Sequence, residues 1–340
     1  MTLLVIRLSA MGDAAMSVPV IRAFTEQYPG RRVIFVTRKL FNPFFEDIDN
    51  LTLVNPDLKG KHKGIAGLYR LFRELKEEHS PDVVIDIHDV LRSKIVRAFF
   101  RLSGIPAFVI DKGRKEKKML TRKDGKVLKP LKHSTDRYAE TFGKAGFPLR
   151  VDKKEKAERM LLSKDIEALL EGSSKKIGIA PFAMHVQKQY PVEKTKRLIH
   201  LLASKGHKVF IFGGGDKEKS AAHEMAGNTE NIVPVIGMFP LADEIRFISN
   251  LDLMISMDSA NMHIAALTGI HIVSIWGATH PYAGFTPYIA DSRSHIIQRN
   301  DLNCRPCSVF GNKPCYKNTL ECFDIMPEKI AGKCEEILKN

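Results

Sequence analysis

"TLLVIRLSAMGDAAMSVPVIRAF" occupies Thr2–Phe24. Its first residues are an apolar run of strand type, a Met-Gly-Asp turn follows at Met11–Asp13, and a helix-like run leads to Phe24. A glycine-bearing turn between a first strand and a first helix ordinarily points to a phosphate loop. Here the turn carries a carboxylate, Asp13, where a phosphate cradle needs glycines and free N–H groups. The stretch therefore predicts an α/β unit whose mouth holds a negative charge.

The alternation continues from there. "RRVIFVT", "LTLVN", "PDVVIDIH" and "PAFVID" read as strands, and "GIAGLYRLFRELKEEH" and "VLRSKIVRAFFRLSG" as amphipathic helices between them. Residues 112–132 break the pattern with ten Lys/Arg and two acids, and read as a mobile basic loop or flap. "KKEKAERMLLSKDIEALLEG" reads as a charged helix before a boundary near Gly172. The alternation then restarts: "KKIGIAPF", "HKVFIFGGG", "NIVPVIG", "DLMISMD" and "IHIVSIWG" are strands with helical runs between them. The expected architecture is α/β, with two Rossmann-like domains facing across a cleft. Residues 1–172 form the first domain, 173–322 the second, and 323–340 a closing helix that crosses back to the first.

Composition narrows the partners. The chain has 340 residues, 44% hydrophobic and 27% charged, as in a globular protein large enough for two domains. No apolar stretch is long enough for a transmembrane helix, and the start lacks the basic and apolar regions of a secretory signal, so the expected location is the cytoplasm. The net charge is +14, and residues 1–172 carry 34 Lys/Arg against 23 Asp/Glu. Such an excess favours an anionic partner: nucleic acid, a phosphorylated sugar or anionic lipid. Residues 112–132 contain no aromatic side chain to stack on bases, so no specific nucleic acid is expected.

In open α/β sheets ligands bind beyond the carboxyl ends of strands, so the residues just after each strand are the informative ones. In "MISMDSANMHIAALTG", Asp258 ends a strand, Ser259, Ala260 and Asn261 open a helix, and His263 sits in its first turns. The helix start suits a pyrophosphate, and Asp258 suits sugar hydroxyls or plain capping. Lys188 follows a strand and can reach a diphosphate as a point charge. Asp216 and Glu218 follow the glycines of "FGGGDKE", where an acid commonly accepts from ribose hydroxyls. Those glycines do not spell a dinucleotide fingerprint, and no P-loop run is present.

"RLSAMGDAAMSVPVIRAF", the Lys188-Gln-Tyr-Pro run and "DSANMHIAA" together, in this order along the whole chain, resemble glycosyltransferase family 9, the ADP-heptose:lipopolysaccharide heptosyltransferases and their relatives. The resemblance implies a GT-B fold, with an acceptor in the first domain and a nucleotide-sugar donor in the second. It implies an inverting, metal-independent transfer, with heptose from ADP-heptose moving to a lipopolysaccharide core or related glycan. Asp13 is the implied base, Lys188 the phosphate ligand and Asp216, or Glu218, the ribose ligand. Asp258 falls on the donor-sugar position, Ser259, Ala260 and Asn261 on the phosphate-contacting helix start, and His263 on the motif histidine. Phe239 falls near the adenine. The family's Asp-Thr-Gly is Asp258-Ser259-Ala260 here, and its hydroxyl pair before the lysine is Ala183-Met184. Those departures leave room for another nucleotide sugar and a non-lipid acceptor. The implied partners are the donor, an anionic glycolipid or glycan, and an anionic membrane surface at the inner face of the cytoplasmic membrane.

Five cysteines end the chain, at 304, 307, 315, 322 and 334. No cofactor is expected. Cys304, Cys307, Cys315 and Cys322 are read as reduced thiols ahead of a structural zinc site, and a reducing compartment disfavours disulfides.

Overall fold

The computed structural model describes residues 1–172 and 174–339. The chain divides into two compact units: Met1–Arg114 with Lys132–Asp152, and Lys115–Leu131 with Lys153–Asn340.

The first unit is built on β1 (Thr2–Ile6), α1 (Met11–Gln27), β2 (Arg32–Val36), β3 (Leu51–Val54), α2 (Gly64–His79), β4 (Val83–Asp86), α3 (Leu91–Leu102) and β5 (Ala107–Val109). The strands form one parallel sheet in the order β3-β2-β1-β4-β5, with Leu3 facing Val33 on one side and Val83 on the other. Leu3, Leu4 and Val5 are wholly buried, as expected for a strand covered on both faces. α2 turns Leu68, Leu71, Phe72 and Leu75 inward at helical spacing and packs them on Ile34, Val84 and Phe100.

The basic segment is not a free flap of this unit. α4 (Arg114–Leu120) forms there, and Lys115–Leu131 belongs to the second unit. Leu131 N donates to Tyr282 O, and Lys126 Nζ donates to the carbonyls of Cys304 and Pro306 at 2.7 and 3.1 Å. Lys117 lies over the Phe285 ring, 4.3 Å from its centroid. The chain then returns to the first unit through α5 (Ser134–Lys144).

The charged run after it differs from the expected single helix. Only α6 (Lys164–Leu170) is helical, and the irregular residues before it bond to other segments of the second unit, to which they belong. Ala290 N donates to Lys154 O, Glu158 N to Thr268 O, and Met160 N to Ser249 Oγ. The units therefore part at Asp152, earlier in the chain than the boundary expected near Gly172. Ser173, where the second domain was expected to begin, lies outside the described residues.

The second unit runs β6 (Lys176–Ala180), α7 (Val192–Ser204), β7 (Lys208–Ile211), α8 (Asp216–Ala226), β8 (Ile232–Pro234), α9 (Leu241–Ser249), β9 (Leu253–Met257), α10 (Ala260–Thr268), β10 (His271–Trp276), β11 (Ser294–Gln298) and α11 (Pro327–Lys339). Its parallel sheet has the order β8-β7-β6-β9-β10-β11. α10 ends at Gly269, with φ +78°, and a Cβ there would stand 2.1 Å from Lys156 O, so both conformation and space require glycine. α11, expected to return to the first domain, stays in this unit. Ile330, Ala331, Cys334 and Ile337 join the core of Leu198 and Leu202 on α7, and Tyr190 Oη donates to Ile325 O. Among the described residues, no helix is long and apolar enough to cross a membrane.

Candidate active site

Each sheet reverses its order beside its first strand: β1 and β4 are neighbours in one unit, β6 and β9 in the other. Loops leaving such a pair diverge to opposite faces and open a crevice at the strands' carboxyl ends. Asp13 follows β1, and Lys188 and Asp258 follow β6 and β9, so three of the expected residues fall at these two reversal points.

In the first unit Asp13 lies in the opening turn of α1, where Ala10 N donates to its Oδ2 at 3.3 Å. The buried Arg7 pairs with the same oxygen at 2.5 Å and donates through Nη1 to Ile87 O at 2.6 Å. Tyr138 Oη, from α5, donates to Asp13 Oδ1 at 3.2 Å. Burial pulls the Arg7 guanidinium down, but the adjacent Asp13 outweighs it and holds the group above its ordinary value. Burial, helped by Asp13, keeps the Tyr138 phenol protonated. Asp13 keeps about a third of its side chain exposed, so a carboxylate braced at both oxygens still faces solvent.

The loop after β4 adds residues that motif reading passed over. Asp86 Oδ1 accepts from the N–H groups of His88 and Asp89, and its Oδ2 pairs with Arg97 at 2.6 Å. Leu8 N donates to His88 Nδ1 at 3.4 Å, which leaves the ring proton on Nε2, 3.3 Å from Ser9 Oγ. Burial, then Arg7 and Lys112, pushes the His88 imidazole down to about 3, so it is neutral at physiological pH. Lys112 is itself pulled down, by burial and then by Arg7 and Arg114. The signal was present in "IDIHD", whose polar residues follow a buried strand at the reversal point.

In the second unit Lys188 Nζ stands 2.9 Å from Asp258 Oδ2, and both side chains are largely buried. The contact is an ion pair outside hydrogen-bond geometry, so that buried oxygen keeps an unfilled acceptor position. Ser259 caps α10 from extended backbone, with Ser256 Oγ 3.3 Å from its hydroxyl, and Ala260 and Asn261 are half-buried beside it. His263 is buried one turn in. The two acids after β7 separate: Glu218 Oε2 accepts from Gly214 N at 2.8 Å and braces its own loop, whereas Asp216 is exposed at the start of α8. Phe239 is half-buried, edge-on to Phe247 with ring centroids 5.9 Å apart. Glu244, just beyond it on α9, was not singled out from the sequence, and burial pushes its carboxyl up to about 7.

The family model for glycosyltransferase family 9 (heptosyltransferase) matches residues 68–315. The chain belongs to glycosyltransferase family 9. As a family 9 glycosyltransferase it is similar to the lipopolysaccharide core heptosyltransferase OpsX of Haemophilus influenzae, at 23% identity over 82% of this chain and 80% of that protein. A family 9 glycosyl transferase of Veillonella parvula has the same fold, with a TM-score of 0.73 at 18% identity over 99% of this chain and 97% of that one. So does the E. coli ADP-heptose lps heptosyltransferase II, with a TM-score of 0.71 at 19% identity, over 100% and 99% of the two chains. The family match begins after Asp13, whose placement rests on the geometry above.

Proposed function

We propose that the protein transfers heptose from ADP-heptose to a hydroxyl of a lipopolysaccharide core or related glycan, with inversion at the anomeric carbon. Asp13 takes the proton of the acceptor hydroxyl as its oxygen bonds to the anomeric carbon. The bond from that carbon to the diphosphate oxygen breaks, and the nucleoside diphosphate leaves with the electron pair. Lys188 and the N–H groups opening α10 receive the developing charge, so the reading routes no step through a metal ion. Asp258 accepts from donor-sugar hydroxyls, Asp216 from the ribose, and Phe239 covers the base.

The observation that carries this reading is Asp13: a partly exposed carboxylate held by Arg7 and Tyr138 beyond the carboxyl end of β1. Another nucleotide-linked sugar is the second reading, because Ala183 and the 90% exposed Met184 offer no side-chain hydroxyl before Lys188.

The reading places the enzyme in the cytoplasm, at the inner face of the membrane. Ile65 and Tyr69 stand exposed one turn apart on α2, beside Lys61, Lys63 and Arg70, and such a face suits anionic lipid. The deciding experiment is Asp13→Asn. The expected outcome is a loss of about 10²–10⁴-fold in transfer rate with donor affinity retained. Transfer at the wild-type rate, with chemistry shown to be the slow step, would make Asp13 a capping residue.

A further inference from the structure

From Arg299 to Leu320 the chain forms neither strand nor helix. Irregular stretches of this length are uncommon in compact domains unless something holds them. Apolar packing supplies little: Leu302 and Leu320 reach the core from half-buried positions, and Phe310 and Tyr316 are more than half exposed. What the stretch does hold, with the turn that follows, is four of the five cysteines. Cys304, Cys307, Cys315 and Cys322 all line one pocket, together with Arg305 and Leu320.

The backbone around that pocket is tightly fixed. Arg305, 2% exposed, donates to the carbonyls of Trp276, Gly277, Thr279 and Arg299. Lys126 binds the carbonyls on either side of it, and Cys307 N donates to Ala278 O at 2.9 Å. The turn after Cys315 is closed by its backbone, with Asn318 N donating to Cys315 O at 3.1 Å.

We propose that Cys304, Cys307, Cys315 and Cys322 bind one divalent metal ion of the zinc or iron class as a tetrahedral set of thiolates. The C-x2-C start and the all-sulfur donor set select that class of metal. Each thiol gives its proton to solvent as its sulfur bonds to the metal, and Arg305 and Lys126 offset the net negative charge of the filled site. Among the described residues no group of three or more His, Cys, Asp or Glu side chains is already arranged to hold a metal, so the thiols must rotate inward to converge. The role is structural and lies outside the transfer chemistry. Gly311, in the same loop, packs so closely on Lys188 that an added Cβ would stand 2.4 Å from Lys188 Cγ, and Ala278 N donates to Gln187 O. The filled site thereby braces the turn that carries Lys188. The metal assignment does not depend on what Lys188 binds.

The test is elemental analysis of the full chain purified under reducing conditions without chelator. The expected result is one zinc or iron per chain, with visible absorption marking iron and its absence marking zinc. Replacement by Co²⁺ should give the absorption of a tetrahedral thiolate site. Cys315→Ser and Cys322→Ser should lose most of the metal, while Cys334→Ser, in the buried face of α11, should keep it. Should the serine variants fail to fold, stepwise mercurial titration of the wild type should release the metal as four thiols react. A metal-free chain with five titratable thiols and no thermal stabilisation by added Zn²⁺ would overturn the proposal. So would a chain short of free thiols through disulfides, or metal that survives in both serine variants.

Discussion

Arg7 Nη2 lies 2.5 Å from Asp13 Oδ2, with Arg7 almost wholly buried and Asp13 partly open to solvent. The pair therefore has one fixed member and one accessible member. The guanidinium is anchored on Ile87 O, so it sets the plane of the carboxylate, and Tyr138 supplies the second constraint on Oδ1. A carboxylate held this way loses little orientational freedom when a hydroxyl approaches it, which is the geometric requirement for a general base.

Tyr138→Phe should therefore slow transfer without disturbing donor binding. It removes one hydrogen bond to a charged group, worth about 1.5–3 kcal/mol, while the ring stays packed. Steady-state kinetics should show a lower kcat with the donor KM nearly unchanged. An unchanged kcat would show that Arg7 alone orients Asp13.

His88 predicts a pH dependence of stability. Its folded value of about 3 lies below the ordinary 6.5, so below that ordinary value the unfolded chain binds a proton that the folded chain refuses. The stability this neutral ring contributes is present above pH 6.5 and is lost as pH falls towards 3, by a few kcal/mol in all. His88→Asn, which keeps an acceptor for Leu8 N, should flatten that part of the curve in urea unfolding followed by circular dichroism. An identical slope in both proteins would show that another group causes it.

Glu244 has the opposite sign. Its carboxyl is raised from 4.5 to about 7 by burial, so its contribution is fully present below pH 4.5 and is lost as pH rises through 7. Glu244→Gln copies the protonated form and should raise Tm at pH 8 while changing little at pH 5, with a gain of order 3 kcal/mol or less. A variant equally stabilised at both values would point to packing instead of charge.

Lys188→Met should lower stability as well as nucleotide affinity. It strands the buried Asp258, and breaking a buried pair from one side costs about 3–5 kcal/mol. Adding Asp258→Asn should recover much of the Tm but none of the affinity for nucleoside diphosphate. Calorimetric titration of both variants separates the two effects. Full-strength nucleotide binding by Lys188→Met would remove Lys188 from the donor site.

The local pattern was enough to predict strands such as Thr2–Ile6 and Leu253–Met257, because a strand buried on both faces must be continuously apolar whatever it packs against. It also put Asp13, Lys188 and Asp258 beyond the carboxyl ends of β1, β6 and β9, where the structure has them. It did not reveal their partners. Tyr138 reaches Asp13 from 125 residues away, and Lys188 and Asp258 meet only because β6 and β9 become neighbours in the sheet. Nor could it assign the basic segment: ten cations in a row of 21 residues look like a solvated loop, yet Lys126 is spent on carbonyls of the cysteine loop, far along the chain. Hydrophobic period is a property of a few neighbouring residues and is written in the sequence directly. Which charge meets which, and which loop closes on which, depends on strand order and on contacts between distant segments, and only the tertiary structure decides them.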